Sequence, residues 1–564
     1  MTGMQFIIKI LRGSLILLLP FAGFSQTTYL PQGDKHAQLL DRLEIKYSKN
    51  PDLNLSVAKP FSRRMAVRLS EAADTSSLVT LSPIDKYNLH SLLMNNTEWV
   101  KGDKSSFASR KSIWNTIYKT RANFVEVNQK DFFLAVNPVF QFQQSLEKDN
   151  DERVFVNSRG ITLRGMIAER IGFYTYLVEN LERAPEFVQE RVDSFRAIPG
   201  AGRFNEYKTT GWDYSDARGG ITFNVAKYLD FQFAYDKNFI GNGYRSLFLS
   251  DFGSNYLFLK INTRIWKINY LNIFMEVNPQ FPQSVRSNDL LLDKKYAAIH
   301  HLIFNATKWL NVGLFEAVIF GRKNDFEFSY LNPVIFLRTA EKQNNSPDNA
   351  FVGFDIKANV AKRAQLYGQI LFDELIIKEL RGGNGWWGNK FGVQLGGKYI
   401  DVFGLKNLDV QGEVNLVRPF TYSHYDSSAN YGHYNQQLAH PLGANFIESI
   451  GIIKYQPLPK LTAVAKLIVW HQGVDTDTSN VGSNIFKLYT TRSSDYGYKL
   501  PSGISSHGLN TQLFLSYELK ENLFIDGSIM VRRWHTNGDI YPKNNTTVAT
   551  LGLRLNMFRR EHDY

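Results

Sequence analysis

Cysteine is absent from the 564 residues of the sequence. Its absence excludes disulfide bonds, thiolate metal sites, cysteine nucleophiles and lipidated cysteines. Long apolar runs are also missing beyond the first 25 residues, whereas a helical membrane protein would contain several runs of about 20 residues. Aromatic residues, in contrast, make up 14% of the chain, which is too many for a disordered protein.

The first 25 residues have the pattern of a secretory signal peptide. Lys9 and Arg12 supply the basic end, and residues 14–23 form an apolar core that small residues separate from Gln26. A membrane anchor is the alternative, but this apolar core is too short for one and contains a proline. The sequence therefore predicts a signal peptide at 1–25 and export of the chain beyond the inner membrane.

Residues 26–130 are predicted to form a small periplasmic helical segment and a lead-in to the following region. Leu39, Leu40 and Leu43 recur at helical spacing. Residues 82–85 (Ser-Pro-Ile-Asp) combine an N-cap, a Pro at the first helical position and a capping-box acid. This segment is too short to be a catalytic domain by itself.

From residue 131 to 564 the apolar period changes to two, which is the period of strands. One face is apolar and the other carries polar groups in each of these segments: 257–265, 352–360, 408–416, 510–519 and 549–557. A soluble β-sandwich alternates as well, but its loops vary in length without order. A membrane-spanning barrel needs about ten residues per strand, with apolar side chains outside and polar side chains inside.

The lengths of the connections favour the barrel. Eight short turns alternate with nine long loops, so that 17 connections join 18 strands. The sequence thus predicts an all-β fold, an 18-stranded antiparallel transmembrane β-barrel with short periplasmic turns and long outer loops. Closure leaves no backbone amide unpaired in hydrocarbon. We assign the segment 326–338 to a long outer loop, because a further strand there would break the alternation.

The strand register predicts where two sets of side chains lie. Aromatic residues near strand ends are expected at the membrane–water interface: Trp266, Tyr270, Trp309, Tyr399 and Phe558. Charged residues on the polar faces are expected to face the lumen and to pair with one another: Lys260, Glu316, Asp355, Lys357, Asp409, Glu413 and Arg554. A path for solutes is the alternative role of this second set.

Two of the long loops carry residues that suit a sugar ligand. Trp386 and Trp387 are adjacent at the junction of a loop and a strand. The apolar faces of sugars pack on indole rings, and the ring N–H can donate to a hydroxyl group; anchoring at the membrane interface is the alternative. In an earlier loop, Asn242, Tyr244 and Arg245 are predicted to bind an acidic or hydroxylated ligand, or else to form a tight turn near the rim.

A third loop carries two His-Tyr pairs, His424-Tyr425 and His433-Tyr434. Together with His440, the histidines are spaced by nine and seven residues. This spacing lacks the short intervals typical of a metal site, so we predict no metal here. The two pairs are instead assigned to hydrogen bonding with a glycan, with packing as the alternative.

No catalytic group is predicted. Asp373 and Glu374 are neighbouring carboxylates, but neighbours in a strand point to opposite faces and therefore do not act jointly as acid and base. The sequence has no G-x-S-x-G nucleophile elbow. We expect a protein that is not an enzyme and needs no cofactor.

The net charge of +12 favours an anionic partner. For an exported barrel in the outer membrane of a Gram-negative bacterium, this partner is expected to be an acidic surface polysaccharide or lipopolysaccharide. Outer-membrane lipid would surround the barrel. Nucleic acid is not expected outside the inner membrane.

Several runs of residues resemble the capsule-assembly Wzi-like family of outer-membrane proteins. These runs are 159–165 (RGITLRG), 239–246 (FIGNGYRS), 366–374 (LYGQILFDE) and the two ends of 433–446 (HYNQ and HPLGANF). The likeness extends from about residue 34 to the end of the sequence. It is greatest for the branch that is labelled gliding-motility protein RemB.

This resemblance implies an 18-stranded outer-membrane barrel with a periplasmic helical bundle. It also implies a lectin-like role, in which the protein holds exported capsular polysaccharide at the cell surface. For the RemB-like branch it implies a role in gliding motility or surface adhesion instead, with a periplasmic or motility-machinery protein as partner. A diffusion channel is the third function considered, since 18 strands enclose a lumen wide enough for water.

Overall fold

The computed structural model describes residues 28–564 except 77–78, 281–291, 323, 335 and 347. The predicted signal peptide and part of the loop after residue 278 lie outside the described residues. Within the described ranges, none of the helices combines the length and the apolar character that crossing a bilayer requires.

Eighteen antiparallel strands form a closed barrel, which confirms the predicted fold. The strands are β1 (Phe132–Glu147), β2 (Val154–Ile167), β3 (Ile171–Arg183), β4 (Gly211–Ala226), β5 (Leu229–Asp236), β6 (Tyr256–Ile265), β7 (Ile268–Val277), β8 (Lys295–Asn305), β9 (Leu310–Phe320), β10 (Asn349–Val360), β11 (Ala364–Glu374), β12 (Lys390–Tyr399), β13 (Leu408–Val417), β14 (Phe446–Leu458), β15 (Leu461–Val474), β16 (Ile504–Lys520), β17 (Leu523–Thr536) and β18 (Asn544–Leu555). β18 pairs with β1 and closes the ring. Two short strands, Val125–Gln129 and Asn205–Tyr207, extend the sheet beside β1 and β4.

The connections alternate in length as the sequence predicts. Short turns lie at one end of the barrel, here called the short-turn end: 168–170, 227–228, 266–267, 306–309, 361–363, 400–407, 459–460 and 521–522. The longer connections lie at the opposite, long-loop end: 148–153, 184–210, 237–255, 278–294, 321–348, 375–389, 418–445, 475–503 and 537–543. Residues 326–338 belong to one of these long loops, as expected.

The burial pattern of the strands is the reverse of that in a soluble protein. Phe354 is 48% exposed, whereas the adjacent Asp355 is 2% exposed. Leu467 is 46% exposed, whereas the adjacent Lys466 is 4% exposed. Because apolar side chains face outward and polar ones face the enclosed lumen, hydrocarbon is the medium that this outer surface fits.

A helical segment closes the short-turn end of the lumen. Its helices are α1 (Ala37–Tyr47), α2 (Pro51–Asn54), α3 (Arg63–Thr75) and α4 (Pro83–Met94). They pack around a common apolar core that contains Leu40, Leu43, Ala66, Leu69 and Leu92. The predicted capping box at the start of α4 is confirmed, since the side chains of Ser82 and Asp85 each accept a bond from the other residue's backbone N–H.

Some charged residues of the barrel wall pair with this helical segment, and others pair with one another, as Arg554 does with Asp526 at 2.7 Å. Lys357 of β10 lies 2.7 Å from Glu44 of α1. Asp409 of β13 binds Arg42 of the same helix. Lys357 and Asp409 thus help to hold the helices inside the barrel.

Two long loops turn inward and fill the lumen from the other end. Tyr422 and Tyr431 of the loop 418–445 donate their hydroxyl groups to the backbone carbonyls of Leu247 and Phe248, at 2.8 and 2.7 Å. The Phe248 ring stacks at 4.3 Å on that of Phe315 in the wall. The lumen therefore contains a packed core, which gives the channel interpretation no support.

The predicted lumenal position of Glu316 is wrong. Glu316 faces outward and lies 2.9 Å from His300 Nδ1, and it accepts a bond of 3.0 Å from the backbone N–H of Leu337. Helices α5 (Glu186–Phe195) and α6 (Leu337–Gln343) lie in the long loops. Leu337 is the first residue of α6. The loop 321–348 folds down over the outer face of β8 and β9, so a polar pair there is covered by protein rather than by lipid.

The predicted interface aromatics divide into two groups. Trp266, which is 76% exposed, Trp309 and Tyr399 lie on the surface near the short-turn end. Tyr270 lies near the same end but is half-buried, with its ring 5.8 Å from that of His300. Phe558 is not an interface residue, because its ring lies in the lumen with the guanidinium of Arg218 4.5 Å from its centre. The strand pattern could not predict this, since Phe558 follows the end of β18 at Leu555.

Candidate functional site

The structure divides the nine predicted ligand residues between the long-loop rim and the interior. Four of them lie together at the rim: Trp386, Trp387, His424 and Tyr425. The other five lie on inward-turned loops: Asn242, Tyr244, Arg245, His433 and Tyr434. The sequence assigns all nine to glycan binding, whereas the structure brings only four of them together at the rim.

Five rings form the group that we call the rim aromatic cluster: Trp386, Trp387, His424, Tyr425 and Tyr489. Tyr489 occupies the centre, with its ring 4.8 Å from that of Trp387, 5.7 Å from that of His424 and 6.0 Å from that of Tyr425. Both indoles are half-buried and Tyr425 is exposed. The cluster therefore presents a fixed aromatic surface to the outside.

Two loops pair through their backbones beside the indoles. The N–H of Trp387 donates to the carbonyl of Asp495 at 2.9 Å, and the N–H of Tyr498 donates to the carbonyl of Gly385 at 3.0 Å. Gly385 has a φ of +69°, and a Cβ there would lie 2.6 Å from the backbone of Tyr498. A glycine is required at this close approach, so the sequence N-G-W-W-G fixes the indoles against the loop 475–503.

Arg492 is the charged group that lies closest to the indoles. Its guanidinium carbon is 4.0 Å from the centre of the Trp387 ring, an arrangement that favours a cation over an aromatic face. Asp495 binds the same guanidinium at 2.6 Å. A cation, a carboxylate and an indole thus lie side by side in a solvent-accessible place.

A buried ion pair lies beneath the cluster. Lys390 Nζ is 2.9 Å from Asp373 and 3.4 Å from Glu374, and it lies 5.0 Å from the Tyr489 ring. The prediction that the two carboxylates point to opposite faces is therefore wrong. The pairing of β11 with β12 shifts register between Phe372 and Glu374, and such a bulge brings both neighbours to one side.

His424 is a neutral hydrogen-bond donor at neutral pH. Burial lowers its pKa to about 4, and the nearby charge of Lys390 acts in the same direction. Its Nδ1 accepts a bond of 3.2 Å from the backbone N–H of Asp426. In a neutral imidazole the proton then resides on Nε2, so His424 adds no charge to the cluster.

The interior residues bind other parts of the protein. The ring of His433 bonds to the carbonyl of Asn255 at 2.9 Å and accepts from the N–H of Asn278 at 3.0 Å, and burial lowers its pKa to about 4. The backbone N–H groups of Tyr244 and Arg245 donate to Glu413 at 2.7 and 3.0 Å. These contacts fix the inward loops.

Sequence reasoning missed Tyr489 and Arg492. Both belong to the loop 475–503, which lies about a hundred residues beyond the indoles and has no strand pattern. Only the turning of three loops toward one another brings them to Trp387. Among the described residues, no group of three or more side chains is arranged to hold a metal ion.

The fold places the chain in the class of outer-membrane β-barrel proteins. It is similar to the solved structure of Wzi, an outer-membrane protein involved in group 1 capsule assembly in Escherichia coli and a carbohydrate-binding β-barrel. The TM-score is 0.54 at 13% identity, and the match covers 95% of this chain and 100% of Wzi. At this identity the likeness shows the fold alone.

Two further barrels are less similar. OprD of Pseudomonas aeruginosa matches with a TM-score of 0.40 and 12% identity over 75% of this chain and 94% of OprD. OccAB4 of Acinetobacter baumannii matches with a TM-score of 0.42 and 9% identity over 76% of this chain and 98% of OccAB4. No protein-family model matches the chain, and no curated protein matches it either.

Proposed function

We propose that this protein binds surface polysaccharide with its rim aromatic cluster and holds that polysaccharide at the outside of the cell. The observation that carries the proposal is the arrangement of Trp387, Tyr489 and Arg492, in which an indole, a phenol and a guanidinium share one solvent-facing surface. The lumen behind this surface is packed, which favours binding at the rim over passage through the barrel.

The residues of the cluster would contact a sugar chain in different ways. The rings of Trp386 and Trp387 offer apolar area for the C–H faces of sugars. Arg492 attracts a carboxylate, whereas His424 is buried and supports the ring of Tyr489. Because a polysaccharide repeats the same unit, many weak contacts on neighbouring barrels add up to firm retention. The carbohydrate binding of Wzi, which has the same fold, supports this reading.

Replacing Trp386 and Trp387 by Ala together is expected to weaken binding of the cell's purified surface polysaccharide about tenfold or more, which corresponds to about 1.4 kcal/mol. Affinity is measured on the purified protein in detergent. The matched control is Trp266→Ala, because Trp266 is an exposed indole at the opposite end. Equal affinity of the folded double variant and the control would contradict the proposal.

A second candidate function is the docking of a periplasmic partner, in keeping with the gliding role of the RemB-like branch. Ile113, Trp114 and Tyr118 are exposed, and Trp114 is 84% exposed. They follow α4 in the chain, at the short-turn end, where an exposed apolar patch marks an interaction site.

The double replacement of Ile113 and Trp114 by Ser separates the two candidates. If the patch binds a motility partner, the variant strain is expected to lose spreading on a surface while its polysaccharide binding stays unchanged. The indole variant at the rim should show the reverse phenotype. Normal spreading of the Ile113 and Trp114 variant would exclude the docking function.

A further inference from the structure

The residues after β18 run through the lumen. This stretch, residues 556–564, is called the lumenal segment. It starts at the short-turn end, where a Cβ on Gly33 would touch the ring of Phe558. It ends near the long-loop end, where the Tyr564 ring lies 6.1 Å from that of Phe187 in α5. The segment thus crosses the interior from one end to the other.

Beyond its first residue, the lumenal segment is attached to the barrel by side chains. The backbone N–H of that first residue, Asn556, donates to the carbonyl of Asn522 at 3.0 Å. Residues 557–564 form no backbone–backbone hydrogen bond with any residue that the structure describes. A peptide outside the sheet ladder can leave without breaking that ladder, so its side-chain contacts are what hold the segment in place.

Its two carboxylates occupy a cationic place in the wall. Asp563 lies 3.1 Å from Arg245 and 2.5 Å from Lys466. Glu561 binds Lys466 as well. The hydroxyl of Tyr244 donates to Asp563 and also lies 3.1 Å from Glu561. The sequence predicts that Tyr244 and Arg245 bind an acidic ligand, and the acids found there belong to the chain itself.

Cavities flank the segment. Arg559 and Glu561 line a cavity of about 350 Å³ on one side and a second cavity on the other. The first lies within the range of ligand pockets, roughly 300–1,000 Å³. Withdrawal of the segment would join the two cavities.

The larger cavity is strongly basic. Apart from the lumenal segment, its basic lining residues are Lys35, Arg42, Lys454, Lys460, Lys466 and Arg554, and its acidic ones are Asp34 and Glu518. In the described part of the chain no carboxylate lies within ion-pair distance of Lys454, although the charges of Asp41 and Asp409 act on it. Lys35, Arg42 and Arg554 are paired with carboxylates, and Arg559 would leave together with Glu561. The cations left to attract an anion are therefore Lys454, Lys460 and Lys466.

We propose that the lumenal segment is a displaceable plug, and that Tyr244, Arg245 and Lys466 form a site for the carboxylate groups of acidic sugars when the plug withdraws. The side chains of Glu561 and Asp563 occupy the positions that two uronate carboxylates would take. This site is separate from the rim aromatic cluster, so either can exist without the other.

The first test compares the full chain with a variant that lacks residues 558–564. Both are titrated calorimetrically with tri-galacturonate, an anionic probe, and with maltotriose, a neutral one. The shortened barrel is expected to bind tri-galacturonate at least tenfold more tightly than the full chain, without a gain for maltotriose. Lys466→Met in the shortened barrel should remove this gain, whereas Trp387→Ala at the rim should leave it intact.

Three results of this test would overturn the proposal: equal affinities for tri-galacturonate, an equal gain for maltotriose, or a gain that survives Lys466→Met. A second test keeps the full length in case the shortened barrel does not fold. Glu561→Gln combined with Asp563→Asn removes the charges and preserves the shape of the segment.

The second test uses the absence of native cysteine. His562→Cys places a single thiol on the lumenal segment, and the rate of its labelling by a water-soluble reagent reports withdrawal. Labelling is expected to be at least tenfold faster with the Glu561 and Asp563 changes than without them. Tri-galacturonate should also accelerate labelling of the charged parent. An unchanged rate in either comparison would show that the segment is a fixed part of the core.

Discussion

Asp85→Ala is expected to loosen the helical segment and weaken its contact with the barrel. The Asp85 side chain is 1% exposed and binds Arg42 at 3.0 Å and Lys46 at 2.7 Å. Asn407 of the turn before β13 donates to the same carboxylate at 3.2 Å. Removing the carboxylate breaks these contacts, while Arg42 keeps Asp401 and Asp409 and Lys46 keeps Asp401 as partners. Losing hydrogen bonds between charged groups in this way costs about 1.5–3 kcal/mol.

Limited proteolysis in detergent measures this loosening. Trypsin should cut the helices of the variant at least tenfold faster than those of the parent, while the barrel stays intact. Asp74→Ala is the matched control, because Asp74 is an exposed carboxylate on α3. Equal cleavage of the Asp85 variant and the control would show that the ion network does not hold the segment.

The same ion pairs predict that the packing of the helical segment in the barrel weakens at low pH. Burial alone would raise the pKa of Asp85, but the charges of Arg42 and Lys46 outweigh burial and lower it to about 2. In an unfolded chain the pKa of Asp is about 3.9. Because the folded value is lower, the carboxylate stabilises the docked state above about pH 4, and this contribution is lost as the pH falls toward 2.

The barrel could be predicted from the sequence because the features that define it depend on residues close together in the chain. The alternation of apolar and polar residues, as in 352–360, indicates which side chains face lipid. The number of short and long connections gives the number of strands. The capping box at Ser82 and Asp85 is equally local, since it needs only residues three apart. Each of these features is decided within about ten neighbouring residues.

The candidate site could be predicted only in part because its residues come from loops that are far apart in the sequence. The indoles at 386 and 387 are visible as a pair, but Tyr489 reaches them through the folding of another loop. The bulge after Phe372 reverses the expected orientation of Glu374. The inward course of residues 556–564 depends on partners such as Lys466 that lie far away in the sequence.

Lys390→Met is expected to disorder the rim. Lys390 is fully buried and is the cation that faces Asp373, whose side chain is 1% exposed. Asp373 in turn accepts a bond of 2.8 Å from the N–H of Tyr422, at the start of the inward loop. A buried carboxylate that loses its cation destabilises the folded arrangement by about 3–5 kcal/mol, and separating the loops from the strands relieves it.

Hydrogen exchange should show this separation as a loss of protection around Tyr422 and Trp387, with binding of polysaccharide weakened at least tenfold because the rings no longer share one surface. Adding Asp373→Asn tests the cause. The amide keeps an acceptor for the N–H of Tyr422 but needs no cation, and neutralising both members of a buried pair costs far less than removing one. Protection should therefore return in the double variant. If Lys390→Met alone exchanged as slowly as the parent, the ion pair would not be what positions the rim aromatic cluster.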